Sequence, residues 1–543
     1  MPLSFWPRLL FLSSPRFWFW LVVVCNLLYF FLEHEGLYHQ DDYSYAKHAY
    51  DALQGRFCAT GSIFCHRLMV TLPTAAVYAV LGVGPYTTTL YPLLCTLGTY
   101  GLLYQTFQKE YPVAISWTLV FLGLFYFLLN TVNYLYPDNL LLFYTTACLL
   151  ILYKTRGKQQ VPWWWAVGLV GLGFCAFLVK ETVVYLLPFC LLLAVQDLRK
   201  KRLVSFWLVG VGVGIVLLGL YFGFYSQTER GLWWRFEEIE AYSLHLKEGY
   251  LNRTSSLALM KRLTYGPLLF FIGTGMAVPL VFLLGCFLAH PEKQQWSLNS
   301  AQGYWFWAMV FMLAPLWLGT VSLDHYKPMS LVPRMLHPLL PTFCLSAGFA
   351  IQTTGFTKRT LGWLAGLFIM CAFLAYGEMK VYYVPFMLLF AAAWALPRIS
   401  TLAAFLALPV LVVVQLVRPA YFIWKPSVNN YFAQAQVLDK YLPASTTQTM
   451  LLISDPMTTA HLDFFYGFEI PAAIKAVSFQ DSLTIQNRQA EKVYLLINNG
   501  LLGNPEILGQ PTDQELLKPF PGAKLIAQNE KVKLFLLPQK VRP

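Results

Sequence analysis

Six charged residues stand at the ends of apolar runs, where a chain embedded in a membrane can bring reactive groups into contact with water. They are Asp41, Asp42, Asp138, Lys180, Glu181 and Arg334. A charge near the bilayer costs a few kcal/mol unless it is paired or functional. Carboxylates that face cations suit the displacement of a phosphate leaving group by a hydroxyl, because the acid accepts the proton and the cations stabilise the phosphate. Arg334 suits the second task, since a guanidinium binds phosphate through two hydrogen bonds.

The two adjacent acids open a polar segment, residues 41–55, directly after the first apolar run. Neighbouring residues on a helix point about 100 degrees apart, so Asp41 and Asp42 cannot face one ligand in the same way. The alternative is that both are solvated or cap a helix over 43–53. The convergence of the other charged residues on the same face favours a functional role.

The elements that must position these residues are membrane spans, each of which needs about 20 apolar residues. Residues 68–84 are apolar enough to cross, but a span there would place the basic clusters 154–158 and 199–202 outside, against the positive-inside rule. We therefore predict that 68–84 lies in the interface, as a helix or re-entrant piece of the first outer loop, 33–86. Thirteen spans remain, with the amino terminus inside and the carboxyl terminus outside. They lie near 16–32, 87–106, 114–131, 138–153, 162–179, 182–196, 203–224, 267–289, 303–321, 337–353, 361–376, 381–396 and 400–417.

The composition agrees with a polytopic membrane protein. Of 543 residues, 57% are hydrophobic and 12% are charged, about half the usual charged share of a soluble domain. The net charge of +12 is typical of basic cytoplasmic loops that face anionic lipid. No basic run has interleaved aromatics, which argues against a nucleic-acid partner. The first run lacks a small-residue cleavage site before Glu33, so we expect a retained span rather than a cleaved signal.

The composition shifts after Tyr421, and residues 425–543 have the character of a soluble domain. We expect a transmembrane domain over 1–424 and a small extracytoplasmic α/β domain over 425–543. Asp455, His461 and Asp463 lie close together in this second part, and we interpret them as turn and surface residues. The predicted elements are a helix at 430–442, buried strands at 449–454 and 492–497, and a hairpin formed by 524–528 and 531–537.

Four motifs together resemble a known family. The segment Asp41-Asp42-x-x-Tyr45-x-x-x-Ala49-x-x-x-Leu53-x-Gly55 is similar to the first-loop signature of GT-C glycosyltransferases of the protein-mannosyltransferase and aminoarabinose-transferase type. Three further matches follow in the family's order: Tyr136-Pro137-Asp138, Val179-Lys180-Glu181, and the proline-rich run 333–341 that contains Arg334. The chain departs from the pattern at three positions. Asp42 stands where Glu is usual, Met335 stands where Tyr is usual, and Glu181 stands in place of Gly.

The resemblance implies an α-helical GT-C-like enzyme that moves a sugar from a polyprenyl-phosphate carrier to an acceptor on the outer face of a membrane, with a bacterial inner membrane fitting best. Asp41 would be the general base or would orient the acceptor, in a catalytic group with Asp42 and Asp138. Lys180 and Arg334 would hold the carrier phosphate, and transfer would be a single displacement with inversion. The expected partners are the lipid-linked sugar, an acceptor lipid, glycan or protein, and membrane lipids.

The sequence suggests two further features without deciding them, a site for a divalent cation and a disulfide. A divalent cation is a candidate cofactor, because hard cations prefer carboxylate oxygens; its ligands would come from Asp41, Asp42, Asp138 and Glu181. Glu181 could instead pair with Lys180. Cys58 and Cys65 are candidates for a disulfide, since both lie in a loop that we place outside.

Other functions have a different sequence pattern. A lipid-linked-sugar flippase or another transporter would carry ionisable groups at mid-span and paired repeats, whereas here the acids stand at span ends and no repeat is visible. A polysaccharide polymerase is a second alternative within the membrane enzymes. A structural or sensory protein would place its function in the carboxyl-terminal domain, where we find no catalytic constellation.

Overall fold

A computed structural model describes residues 14–37, 40–245, 256–320, 326–480, 490–502 and 512–538. Within these ranges a long helical part is followed by a small α/β unit. The helices of the first part are α1 Pro15–Leu32, α2 Gln40–Leu53, α3 Leu68–Leu81, α4 Pro85–Phe107, α5 Pro112–Gly123, α6 Tyr126–Asn130, α7 Pro137–Thr155, α8 Trp164–Val179, α9 Leu187–Arg199, α10 Val204–Ser226, α11 Trp234–His245, α12 Ser256–Leu263, α13 Gly266–Thr274, α14 Ala277–Ala289, α15 Ala301–Leu318, α16 Leu340–Thr354, α17 Lys358–Leu374, α18 Val384–Ala395 and α19 Ser400–Trp424.

The apolar helices make this an integral membrane protein. Among the described residues, four helical stretches are long and apolar enough to cross a membrane, and two bent pairs raise the number to six. The four are Pro15–Leu32, Glu181–Arg199, Val204–Ser226 and Ser400–Trp424, and the pairs are α5 with the stretch to Asn133 and α13 with α14. The count of thirteen spans therefore stays a prediction.

Two runs that the sequence suggested as single spans are broken in the structure. The run 267–289 bends by 110° between α13 and α14, at Gly275, whose φ of +79° is a left-handed conformation that glycine adopts without strain. The run 114–131 bends by 59° after α5. Apolar composition alone does not reveal a bend, which explains why both were predicted to be straight. Residues 68–81 do form a helix, as expected for the interfacial segment.

Three of the short 3-10 turns in the membrane part lead into helices that begin with a proline. The turns are Glu181–Leu186, Pro333–Leu339 and Gly377–Tyr382, and they lead into α9, α16 and α18. Each of these helices carries a proline in its first turn, where a missing backbone N–H costs no intrahelical hydrogen bond. Two of these turns carry Glu181 and Arg334, so the prolines in the sequence help to fix where two candidate site residues stand.

Helix α16 is the packing centre beneath the site. Nearly all of its residues are buried, and it lies directly against α5. At Gly348 an added Cβ would come within 2.4 Å of the Ala114 carbonyl oxygen, so only glycine permits this approach. Thr118 Oγ1 donates to the Cys344 carbonyl (3.2 Å), and the Ala114 N–H donates to Gln352 Oε1 (2.9 Å). The segment that carries Arg334 therefore leads into a rigidly packed helix.

The end of α7 that lies away from Asp138 carries a buried ionic cluster around Asp197. The buried Asp197 carboxylate accepts two hydrogen bonds from Arg156 (3.2 and 2.8 Å) and further bonds from Arg202 and from Trp207 Nε1 (3.1 Å). Arg156 caps the end of α7, while Asp138 lies in its first turn. The helix thus links two buried ionic clusters, one at each of its ends.

The carboxyl-terminal unit is a sheet with helices on it. The elements are α20 Tyr431–Tyr441, β1 Met450–Ser454, α21 Pro456–Ala460, α22 Leu462–Phe465, β2 Ile474–Ser478, β3 Lys492–Asn498, α23 Asn499–Leu502, α24 Asp513–Leu517, β4 Lys524–Asn529 and β5 Val532–Leu536. The described strands pair in the order β2-β1-β3-β5-β4, with β1 parallel to β2 and β3, and β5 antiparallel to β3 and β4. The predicted strands, hairpin and first helix are found, whereas β2 was not predicted.

Candidate active site

A buried ion pair forms the floor of the site. Lys180 Nζ donates to Asp138 Oδ1 at 2.7 Å, and the two side chains are 6% and 2% exposed. Asp138 lies in the first turn of α7, where the helix dipole favours a negative charge. Lys180 Nζ is also 3.5 Å from Met335 Sδ, so the methionine that replaces the usual tyrosine contacts the lysine. Residues from three distant segments therefore meet at one point.

Arg334 connects this pair with α2. Its Nη2 lies 3.6 Å from Asp41 Oδ2 and its Nε lies 3.9 Å from Asp138 Oδ2. The guanidinium carbon stands 4.2 Å from the centroid of the Tyr136 ring, a cation–π contact. Burial alone would lower the pKa of Arg334, but the carboxylates of Asp138 and Asp41 and the Tyr136 phenol raise it above its ordinary value. The residue is therefore a fixed cation between two acids.

A polar network under the ion pair holds these segments together. Asn139, next to Asp138, accepts from Thr131 Oγ1 (2.8 Å) and donates from Nδ2 to Thr96 Oγ1 (3.0 Å). Its Oδ1 also lies 3.0 Å from His337 Nδ1. Both Asn139 and His337 are fully buried. The network thereby ties the start of α7 to α4 and to the segment that carries Arg334.

The two adjacent acids have different surroundings. The Asp41 side chain is 26% exposed and faces Arg334. Asp42 is fully buried, and its Oδ1 accepts the backbone N–H of Tyr43 at 2.8 Å. The side chains of Asp41 and Asp42 therefore have different surroundings, as their adjacent positions on a helix predict. Asp41 is the carboxylate of the two that solvent and a substrate can reach.

Glu181 pairs with arginines and not with Lys180. Its carboxylate lies 3.8 Å from Arg67 Nη2 and 3.6 Å from Arg235 Nη2. Lys180 Nζ donates to Asp138 instead. The suggested pairing of Glu181 with Lys180 is therefore not found among the ion pairs of the described residues, and Glu181 belongs to a second cluster beside the first.

Arg67 and His66 complete this second cluster. Arg67 donates to the Tyr45 hydroxyl, which is fully buried in α2. Burial would lower the pKa of Arg67, but the Tyr45 phenol and the Glu181 carboxylate raise it above its ordinary value. His66 is buried with its ring 4.4 Å from that of Trp234, and burial together with Arg235 lowers its pKa to about 3. His66 is therefore neutral at physiological pH, and the cations of the cluster are the two arginines.

The suggested cation site and disulfide are not assembled in the structure. Among the described residues, no group of three or more His, Cys, Asp and Glu side chains is arranged to hold a metal ion. The acids are instead divided between cations, with Asp138 on Lys180 and Glu181 on Arg67 and Arg235. Cys58 and Cys65 are free thiols. Cys65 Sγ lies 3.5 Å from His48 Nε2. The disulfide between Cys58 and Cys65 stays a prediction.

An apolar cavity of about 570 Å³ lies between α8, α9 and α10. Leu169, Phe177 and Phe206 are among its wall residues, and Glu181 is the one charged residue of its described lining. A smaller cavity of about 270 Å³ is bordered by Arg334 and by the stacked rings of Tyr134 and Tyr136. One cavity therefore offers hydrocarbon surface next to the Glu181 cluster, and the other offers aromatic surface next to Arg334.

Solved structures with this arrangement of helices and sheet exist. No protein-family model and no curated protein sequence matches the chain. The crystal structure of ArnT from Cupriavidus metallidurans bound to undecaprenyl phosphate is similar over 97% of this chain and 99% of that one, with a TM-score of 0.57 and 14% identity. The chain has the ArnT fold. The apo ArnT structure gives a TM-score of 0.55 and 15% identity over 96% and 97% of the two chains.

The match to the ArnT structures confirms the predicted helical fold with a small carboxyl-terminal sheet. The structure brings Asp41, Asp138, Lys180 and Arg334 together and places Asp42 and Glu181 beside them. Sequence reasoning missed Arg67 and Arg235. Arg67 precedes an apolar helix directly, which is the same signal that singled out Lys180, whereas Arg235 follows two tryptophans and shows its role only through packing.

Proposed function

We propose that the chain is a membrane glycosyltransferase that moves a sugar from a polyprenyl-phosphate donor to an acceptor hydroxyl. The observation that carries this proposal is the ionic cluster of Asp41, Asp138, Lys180 and Arg334, which come from four separate segments and meet beside two cavities. Undecaprenyl phosphate is bound in an ArnT structure with the same fold, which supports a polyprenyl-phosphate partner here.

Asp41 is the proposed proton acceptor. As the acceptor oxygen attacks the anomeric carbon, the bond from that carbon to the phosphate oxygen breaks, and the phosphate leaves with the electron pair. Asp41 takes the hydroxyl proton, which its partial exposure allows, and Asp42 is too deeply buried for that task. Attack opposite to the leaving group inverts the anomeric configuration. Asp138, fixed by Lys180, holds the position and charge of Arg334.

The phosphate is the proposed ligand of Arg334 and Arg67. The side chain of Arg334 is 29% exposed and that of Arg67 is 14% exposed, whereas Lys180 is nearly inaccessible behind Asp138. An arginine binds a phosphate through two hydrogen bonds and keeps its charge when partly buried. Lys180, which the sequence suggested for this task, serves in this proposal to neutralise Asp138.

The two cavities suit the two ends of the donor. The larger one is lined almost entirely by apolar side chains and would take isoprenoid units of the carrier. The smaller one has aromatic rings and the side chains of Asn130 and Thr131, a combination that suits a sugar ring. The acceptor could be a lipid, a glycan or a protein hydroxyl, since the residues around Asp41 favour none of these over the others.

We place the reaction on the outer face of a bacterial inner membrane, with the amino terminus in the cytoplasm. Support comes from the basic clusters near 154–158 and 199–202, which lie at the opposite end of α7 from Asp138. The carboxyl-terminal domain contacts α2 on the side of the site, as the bond between Tyr43 and Asp463 shows. The domain would therefore be periplasmic.

The test uses purified protein in nanodiscs with radiolabelled undecaprenyl-phosphate pentoses and hexoses. Covalent transfer of label, or release of undecaprenyl phosphate, supports the enzyme. Label that crosses a liposome membrane without covalent change would instead make the protein a transporter.

A matched pair of variants tests the cavity. Gly173 lines it and Gly171 does not, and an added Cβ would meet no atom within 4 Å at either position. We expect Gly173→Phe to weaken binding of undecaprenyl phosphate about tenfold, because the ring would occupy the space of one isoprene unit. Gly171→Phe should bind it as the wild type does.

A further inference from the structure

One face of α2 lies against the carboxyl-terminal domain. Tyr43, Lys47 and Tyr50 are spaced four and three residues apart, which places them on the same side of the helix. The opposite side, which includes the buried Tyr45, packs toward Arg67 and α3. Helix α2 is therefore held between Arg67 and α3 on one side and, on the other, a domain that follows some 400 residues later in the chain.

The contacts on this face are specific and polar. The Tyr43 hydroxyl donates to Asp463 Oδ1 at 2.8 Å, and Lys47 Nζ lies 3.3 Å from Asp463 Oδ2. The Tyr50 hydroxyl donates to Glu469 at 2.5 Å. The Tyr43 ring also stacks on His461 with 4.1 Å between ring centroids. Asp463 and His461, which the sequence suggested were turn and surface residues, are thus contacts between domains.

A second set of contacts holds the segment that leads into α2. The Glu35 carboxylate accepts the backbone N–H groups of Val428 and Asn429 (both 2.8 Å) and the Ser427 hydroxyl (2.9 Å). Gly36 has a φ of +79°, and a Cβ there would come within 2.0 Å of the Tyr431 ring. Backbone and carboxylate are therefore fixed on the same domain a few residues before Asp41.

We propose that Asp463 and Glu469 are positioning residues that hold α2 so that Asp41 meets Arg334. Asp41 lies two residues before Tyr43, whereas Arg334 belongs to the segment before α16, so the 3.6 Å between them depends on where α2 is held. A displacement of about 1 Å at a reacting group can cost about a hundredfold in rate. The carboxyl-terminal domain would thereby control the catalytic geometry without contributing a group to the chemistry. The kinetic part of this inference rests on the proposed glycosyl transfer.

The experiment compares three variants of the full-length protein in nanodiscs. Asp463→Leu removes the acceptor of Tyr43 and the partner of Lys47, while Asp463→Asn keeps an oxygen for Tyr43. Asp513→Leu is the control, because Asp513 pairs with Lys533 at 2.5 Å in the same domain, with a side chain of similar exposure. Amide hydrogen exchange is followed in 40–53 and in β1, and kcat and KM are measured with the radiolabelled undecaprenyl-phosphate sugars.

We expect Asp463→Leu to speed exchange in 40–53 at least about tenfold while β1 keeps its protection. Its kcat should fall about ten- to a hundredfold with KM nearly unchanged. Asp463→Asn should recover most of both properties, and the control should match the wild type. Three results would each overturn the inference. In Asp463→Leu, residues 40–53 could exchange at the wild-type rate, β1 could lose as much protection as 40–53 does, or kcat could stay unchanged although exchange in 40–53 is faster. If the wild type turns over no donor, the proposed function fails, and the exchange data still decide whether Asp463 holds α2.

Discussion

Asp41 and Arg334 lie 3.6 Å apart although 293 residues separate them in the chain, and Arg334 also approaches Asp138 at 3.9 Å. A carboxylate that can accept a proton and a guanidinium that can bind a phosphate are therefore neighbours at one cleft. A single phosphosugar could contact both groups. This proximity is what the proposed glycosyl transfer requires of the two residues, and it would be absent if they faced opposite leaflets.

Replacing Asp41 with Asn should abolish most turnover of an undecaprenyl-phosphate sugar. The amide cannot accept the hydroxyl proton, and loss of a general base typically lowers the rate about 10²- to 10⁴-fold. Binding of undecaprenyl phosphate should stay equal or become tighter, because an anion next to Arg334 has been removed. Single-turnover kinetics and a binding titration measure the two effects separately.

The control for this variant is Asp51→Asn on the same helix, where the acid pairs with Arg56 at 3.6 Å on the surface. It should turn over the donor at the wild-type rate. Asp41→Asn protein that is folded and as active as this control would exclude Asp41 as the base.

Replacing Arg334 with Lys should weaken binding of undecaprenyl phosphate about tenfold. An ammonium keeps the charge but loses the two-bond geometry and the planar contact with the Tyr136 ring. Arg418 stacks in the same way on Tyr126, with its guanidinium carbon 4.3 Å from the ring centroid. Arg418→Lys is therefore the matched control, and its dissociation constant should equal that of the wild type. Equal losses of affinity in Arg334→Lys and Arg418→Lys would show that the effect comes from the lost ring stacking and not from a contact between Arg334 and the phosphate.

Replacing Lys180 with Met should destabilise the protein by up to about 3–5 kcal/mol, because the buried Asp138 carboxylate would lose its hydrogen-bonded cation and keep only the longer contact with Arg334 at 3.9 Å. Adding Asp138→Leu to this variant should restore most of the loss, since no buried carboxylate remains and Arg334 keeps Asp41 as its neighbour. Denaturant unfolding in detergent micelles measures both. Lys154→Met, at an exposed position in the last turn of the same helix, should leave stability within about 0.5 kcal/mol of the wild type. A Lys180 variant as stable as this control would show that the pair is not needed to balance Asp138.

The sequence reveals where the charged residues stand but not which partners they have. Apolar runs and first-turn prolines mark the ends of helices, and Asp138, Lys180 and Arg334 were found at such ends because charges are costly there. Strands β1, β3 and the hairpin follow from their apolar residues in the same way. These signals depend on neighbouring residues in the chain, so they can be recognised without any knowledge of tertiary contacts.

Partner choice depends on packing between segments that are distant in the chain. From the sequence Lys180 could equally have joined Glu181, and only the packing of α7 against α8 brings Asp138 within 2.7 Å of Lys180. The contacts of Asp463 with Tyr43 and Lys47 were missed for a related reason, because a carboxylate near a turn is expected to be solvated unless another helix packs on it. Arg235 lies in an aromatic segment whose approach to Glu181 has no sequence signature.

The last prediction concerns the pH dependence of stability through Glu33. Burial raises the pKa of this carboxyl from 4.5 to about 7, although the hydrogen bond from Asn133 Nδ2 (2.9 Å) opposes the shift. Between pH 4.5 and 7 the folded state therefore holds more protons at this site than the unfolded state does, so the stability of the wild type falls as the pH rises through this window. Glu33→Gln keeps an oxygen for Asn133 and has no charge to bury.

The Glu33→Gln variant should unfold at the same temperature as the wild type near pH 4.5. Between pH 4.5 and 7 its unfolding temperature should exceed that of the wild type by a growing margin, and above pH 7 the margin should stay constant. Glu110→Gln, at an exposed position, should show no such trend. Thermal unfolding across this pH range measures the difference, and an advantage of Glu33→Gln that does not change with pH would contradict the assignment, because the ionisation of Glu33 would then not be linked to folding.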